Sequence, residues 1–311
     1  MTRVGAIDCG TNSIRLLVAD VDARTGELVE HDRRMEVVRL GQDVDRTGRL
    51  APDALARTLA ATAEYARICR ELGVERVRFV ATSATRDAQN RDELVTGVRD
   101  LLGVEPEVVP GSEEAALSFA GATRELLADG LTGPFVVVDI GGGSTEVVRG
   151  GTGVEAALSV DIGCVRLTER HLAGDPPSEA EVLAARADVE EALDRVAEVV
   201  PLEGVSTLVG LAGSVTTVAA AVLDLPAYDS ARIHRARLPV EQVRETCDRL
   251  LAMSREQRAA LPYMHPGRVD VIGAGALVWW AVVDRLVERS GLTHVVVSEH
   301  DILDGIAFSL G

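Results

Sequence analysis

A strand that ends in aspartate and turns on glycine into a second strand occurs twice in this chain. The first copy is Asp8-Cys9-Gly10-Thr11-Asn12-Ser13, after the apolar run Val4-Gly5-Ala6-Ile7. The second, far downstream, is Asp139-Ile140-Gly141-Gly142-Gly143-Ser144-Thr145-Glu146, after Phe135-Val136-Val137-Val138. Glycines in such a turn let backbone N–H groups approach an anion without interference from Cβ. A strand-end carboxylate suits a hard cation such as Mg²⁺, and a strand-end aspartate is equally a turn-former. The duplication favours the ligand reading. It points to a repeated phosphate clamp with a cleft between two halves.

The order of elements repeats as well. Strands are expected at 3–9, 13–21 and 28–40, followed by a helix at 52–72, a strand at 77–82, a helix at 91–102, a strand at 106–109 and a helix at 113–127. In the second half, strands at 135–139, 145–149 and 155–160 precede a helix at 163–172. A strand at 207–210, a helix at 215–223, a strand at 294–298 and a helix at 302–310 complete it. The helical stretches 178–199 and 231–266 read as insertions. Alternation of this kind predicts an α/β class with two domains, 1–126 plus 301–311 and 127–300, and 311 residues suit two cores. The turn-rich segment 129–134 is the expected hinge.

Composition removes several functions. The net charge of −17 argues against general nucleic-acid binding, which needs a basic face. All 32 basic residues are arginine, so no phosphate-loop lysine and no Schiff base is available. Cys9, Cys69, Cys164 and Cys247 form no C-x-x-C pair and read as free thiols of a reducing compartment. The apolar stretch 272–283 is too short to span a bilayer, and no signal peptide is read at the N-terminus. A cytoplasmic protein without membrane partners is expected. His300, on a strand end, reads as structural, and His265, beside Pro266, reads as a loop residue.

The two βββαβαβα units resemble the ribonuclease-H-like fold of the actin-like ATPase superfamily. The motifs narrow this further. Asp8-x-Gly10-Thr11-Asn12-Ser13-x-Arg15, Thr82-Ser83-Ala84-x-Arg86, Gly111-x-Glu113-Glu114-Ala115, Asp139-x-Gly141-Gly142-Gly143-Ser144-Thr145-Glu146, Gly210-x-Ala212-Gly213-Ser214 and Arg268-x-Asp270 occur in that order. Together they resemble the exopolyphosphatase/guanosine pentaphosphate phosphohydrolase family across essentially the whole chain, in a short two-domain form.

That resemblance implies a Mg²⁺-dependent hydrolase. Asp8 and Asp139 would hold the metal. Gly10, Thr11, Asn12, Ser13, Gly141, Gly142, Gly143, Ser144 and Thr145 would bind phosphate oxygens, with Ser214 and Arg268 further along the substrate. Glu114 would orient and deprotonate the attacking water, with Glu113 as the alternative; Arg86 would grip phosphate and Glu146 would act on metal or water. The expected substrate is inorganic polyphosphate, with guanosine pentaphosphate as the alternative and a homodimer left open. A nucleotide-dependent scaffold on the same fold is the rival class. The scarcity of aromatic residues, 3% of the chain, tilts the choice toward polyphosphate, because a nucleoside wants a stacking wall.

Overall fold

The computed structural model describes every residue except Ala23 and Thr132, so Thr132 of the expected hinge lies outside the described residues. The chain separates into two compact units, 1–121 with 302–311, and 122–301.

In the first unit the order is β1 (Thr2–Cys9), β2 (Ser13–Val21), β3 (Leu28–Val37), α1 (Val44–Thr47), α2 (Pro52–Glu71), β4 (Arg76–Ala81), α3 (Ser83–Asp87), α4 (Arg91–Leu102), β5 (Glu107–Val108) and the start of α5 (Gly111–Ala128), whose residues from 122 on belong to the second unit, with the chain's last helix added at the end. The sheet runs β3-β2-β1-β4-β5, with β2 antiparallel to both neighbours and β4 and β5 parallel to β1. That is the ribonuclease-H-like order. Alternation along the strands sends Ile7, Ile14, Leu16 and Phe79 to one face, where Tyr65, Ile68, Leu94 and Val98 of α2 and α4 cover them. Val4, Ala6, Leu17 and Val80 take the other face, under Leu117 of α5 and Ile302, Leu303 and Ile306 of the last helix. Helices on both faces make the central strands apolar at nearly every position.

The expected strand at 28–40 stops at Val37. The residues beyond it serve the first glycine turn instead. Val38 N donates to Asn12 O at 3.1 Å, and Gly41 N donates to Thr11 O at 2.8 Å.

The second unit holds β6 (Phe135–Ile140), β7 (Thr145–Gly150), β8 (Val154–Val160), α6 (Cys164–His171), α7 (Glu179–Val199), β9 (Thr207–Leu211), α8 (Ala212–Val222), α9 (Ser230–Ile233), β10 (Arg237–Pro239), α10 (Val240–Ala252), α11 (Arg255–Ala259), α12 (Ile272–Ser290) and β11 (His294–Val297); the last helix is α13 (Ile302–Phe308). Its sheet repeats the first and adds one strand, β10-β11-β9-β6-β7-β8.

Both expected insertions prove to be part of the core. Helix α7 connects β8 to β9, as α2 connects β3 to β4, and buries Ala185, Val189, Ala192, Leu193 and Val196. The region 231–266 contributes α10, which buries Val243, Cys247, Leu250 and Leu251, and the edge strand β10, antiparallel to β11. Their exposed faces are so charged that the sequence reads as accessory, although a narrow apolar stripe is enough to dock a helix. The apolar stretch at 272–283 is the first part of α12, with Trp279 fully buried. Among the described residues no helix is long and apolar enough to cross a membrane.

Candidate active site

The two glycine turns are built alike. Gly10 N donates to Ser13 O at 3.0 Å, and Gly141 N donates to Ser144 O at 3.0 Å. In each, the strand-end aspartate pairs across the hairpin with the residue seven positions later: Asp8 with Arg15, and Asp139 with Glu146. Directly paired residues of an antiparallel hairpin project to the same side. The chemistry of the two turns therefore differs. Arg15 donates to Asp8 Oδ2 through Nη2 at 2.7 Å and Nε at 3.0 Å, which neutralises that carboxylate. Asp139 instead faces a second acid. Both are buried, at 7% and 1% exposure, and Glu146 Oε1 accepts from Ser159 Oγ at 2.7 Å.

In the first unit, β4 delivers the chain to α3, which carries Arg86. Its Nη1 donates to Val109 O at 2.9 Å and to Glu114 Oε2 at 3.0 Å. Glu114, in the first turn of α5, is buried at 8% exposure. Its neighbour Glu113 faces away and accepts from Arg78 Nη2 at 2.6 Å, beside Glu107. A half-exposed ion pair of this kind is ordinary surface chemistry. The geometry thus separates the two glutamates that the sequence left open, and brings Glu114 and Arg86 together.

In the second unit, α6 starts against the glycine turn. Cys164 N donates to Gly141 O at 3.0 Å, Val165 N to Gly142 O at 2.9 Å, and Arg166 Nε to Gly143 O at 2.7 Å. A Cβ on Gly163 would lie 2.2 Å from Gly142 O, so only glycine allows this approach. The Thr145 hydroxyl donates to Ile162 O at 2.6 Å and braces the same junction. Ser214 bonds to Cys164, whose thiol burial pushes up while Ser214 and the Arg268 charge pull it back in part. Arg268 lies flat on Gly213, where a Cβ would meet its guanidinium at 2.5 Å, and donates to Thr217 Oγ1 at 3.1 Å. Gly141–Gly143, Ser214 and Arg268 are therefore gathered around α6 and the start of α8.

Several participants escaped the sequence reading. Arg15 was given no role there, although counting seven from Asp8 finds it, as counting seven from Asp139 finds the expected Glu146. Arg166 and Tyr228 carry no such signal, because their partners are backbone carbonyls and residues of distant segments. His265 lies in a loop as expected and caps the short turn at 266–268, its Nδ1 accepting from Gly267 N at 3.1 Å.

The family model of the Ppx/GppA phosphatase family matches residues 17–309. The chain belongs to that family. It is 54% identical over 317 aligned residues to Exopolyphosphatase 2 of Mycobacterium tuberculosis, with 100% of this chain and 99% of that protein covered. A crystal structure of an exopolyphosphatase-like protein matches with a TM-score of 0.96 at 44% identity, covering 100% of this chain and 98% of that one. The Aquifex aeolicus Ppx/GppA enzyme matches at 0.81 and 32%, with 99% of each chain covered. The family expected from the motifs is the one these relatives share.

Proposed function

We propose that this Ppx/GppA protein is an exopolyphosphatase, hydrolysing terminal orthophosphate from inorganic polyphosphate with Mg²⁺. The observation that carries the reading is Asp139 opposite Glu146. Two buried carboxylates paired across one hairpin, beside a glycine turn rich in amides, supply hard oxygen donors suited to a divalent cation. Carboxylate oxygens are the donors Mg²⁺ prefers, so the residues fit the metal. When bound, Mg²⁺ would neutralise the charge on the transferred phosphoryl group. Asp8 and Asp139 would hold it, and the amides of both turns would hold phosphate oxygens. Glu114 would accept the proton of the attacking water, and Arg86 would hold that carboxylate in place and reach phosphate. Family membership supports the reaction class, and the name of the mycobacterial relative supports the substrate. Four buried, unpaired thiols support a cytoplasmic setting.

Phosphate release from long polyphosphate, short polyphosphate, guanosine pentaphosphate and ATP, measured side by side with Mg²⁺, tests this. Polyphosphate should give the highest kcat/KM. A clear preference for guanosine pentaphosphate would replace the substrate and keep the chemistry; no release from any of the four would end the hydrolase reading.

A further inference from the structure

His234 joins two hydrogen-bond networks of the second unit. Its Nε2 lies 2.8 Å from Glu125 Oε2, and its Nδ1 accepts the backbone N–H of Glu299 at 3.2 Å. A ring nitrogen that accepts carries no proton, so these neighbours assign the neutral tautomer with the proton on Nε2, aimed at Glu125. His300 approaches the same carboxylate, with its Nδ1 3.5 Å from Glu125 Oε1. Glu125, His234 and His300 bring donor atoms within 4.8 Å of one another, but His234 could ligate a metal through Nε2 only with its proton on Nδ1, where the Glu299 N–H points. The trio is a hydrogen-bonded network.

Glu299 carries the network onward. Its Oε1 accepts from the Tyr228 hydroxyl at 2.6 Å, and that hydroxyl is joined to Thr216 Oγ1, in α8, at 2.8 Å. Arg268 reaches the neighbouring Thr217 and passes over the Tyr228 ring at 5.8 Å. An unbroken chain of contacts thus links His234 to the residues around Arg268.

We propose that His234 is a positioning residue for substrate binding. Its neutral Nδ1 fixes the Glu299 peptide, Glu299 and Tyr228 fix the start of α8 beside Arg268, and protonation of His234 releases the set and weakens polyphosphate binding. The proposal rests on the reading of Arg268 and Ser214 as substrate residues. An imidazolium has two donors and no acceptor, so protonation turns the Glu299 bond into a meeting of two N–H groups. The charged neighbours of His234 are Glu125 on α5, His300 after β11, and Arg235, itself paired with Asp129 at 2.6 Å. Burial lowers the His234 pKa first, Glu125 offsets part of this, and His300 and Arg235 lower it further. The ring is therefore neutral at pH 7 and takes its proton below the ordinary histidine range of about 6.5.

The test is polyphosphate turnover from pH 5 to 8 for the wild type, His234→Asn, His234→Ala and Tyr228→Phe, with amide exchange of the 298–302 segment, corrected for intrinsic rates, as a readout independent of activity. In the wild type, KM should rise about five-fold on the acid side, the size of one lost hydrogen bond, with a smaller change in kcat. Asn Oδ1 accepts at every pH, so His234→Asn should abolish that acid rise. His234→Ala should show the raised KM and faster 298–302 exchange already at pH 7.5, and Tyr228→Phe, which cuts the next link, should raise KM without speeding that exchange. An acid rise that persists in His234→Asn, or unchanged 298–302 exchange in His234→Ala, overturns the proposal. Arg268→Gln separates the two readings: if it leaves KM unchanged, the substrate role of Arg268 fails, and exchange alone then decides whether His234 holds Glu299.

Discussion

Arg86 donates to Glu114 Oε2 at 3.0 Å from the same nitrogen that holds the Val109 carbonyl. The guanidinium therefore pins a buried glutamate to the end of β5 and leaves little rotamer freedom to the carboxylate proposed to take a proton from water. Glu114→Gln keeps the shape and removes the proposed base. Turnover should fall on the order of 10²–10⁴-fold with polyphosphate binding retained. Glu113→Gln weakens only the half-exposed pair with Arg78 and should keep near-wild-type kcat. The reverse pattern in steady-state kinetics would move the role to Glu113.

Asp139 and Glu146 share one side of the second hairpin, and Asp8 is neutralised by Arg15 in the first. Asp139→Asn should raise the Mg²⁺ concentration for half-maximal activity about ten-fold or more, and Asp8→Asn should raise it as well. Chelation should abolish phosphate release, and added Mg²⁺ should restore it. Superimposable Mg²⁺ titrations for the wild type and both variants would remove the two aspartates from the metal site.

Two glycines separate binding from stability. Gly213→Ala drives a Cβ into the Arg268 guanidinium at 2.5 Å, a flexible group that can move aside. KM should rise as in Arg268→Gln, while the melting temperature stays within a few degrees of wild type. Gly163→Ala meets backbone, the Gly142 carbonyl at 2.2 Å, and should lower both stability and turnover. Equal melting curves for the two variants would contradict this distinction.

Asp304, 1% exposed, accepts from Arg33 at 2.6 and 3.3 Å and ties α13 to β3 in the first unit. Removing Asp304 takes two charge-assisted hydrogen bonds from Arg33, which keeps its pair with Glu30 at 2.7 Å. Asp304→Ala should cost about 1.5–3 kcal/mol in denaturant unfolding, whereas an exposed pair such as Arg67–Glu71 should cost less than about 1 kcal/mol.

Stability should fall on the acid side. Burial raises the Glu125 carboxyl, but the His234 hydrogen bond and the charges of His300, His234 and Arg235 outweigh it and leave the pKa lowered; His234 is lowered mainly by burial. Both groups bind protons more weakly folded than unfolded. Their contribution is therefore present above the unfolded values, about 6.5 for His and 4.3 for Glu, and is lost as pH drops through the lower folded values. Melting temperatures of Glu125→Gln and His234→Asn should decline less between pH 7 and 4 than that of the wild type. Parallel profiles would exclude this pair as the source.

The sequence by itself determined the two hairpins, the α/β class and the family, because all three live in short-range signals. Strand alternation, glycine at the turn and aspartate at the strand end are fixed by residues a few positions apart, and the order of motifs needs no coordinates. It also placed Gly10–Ser13 and Gly141–Ser144 in turns that prove to share one hydrogen bond. Only the tertiary structure decided the rest. It turned Glu113 toward Arg78 and Glu114 toward Arg86, a choice that depends on where α3 and β4 present two arginines. It made core helices of α7 and α10, whose charged outer faces mask the stripes that dock them. It also assembled Glu125, His234 and Glu299, far apart in sequence, into one hydrogen-bonded chain. Pairings between distant segments are set by packing of whole elements, and no local pattern records them.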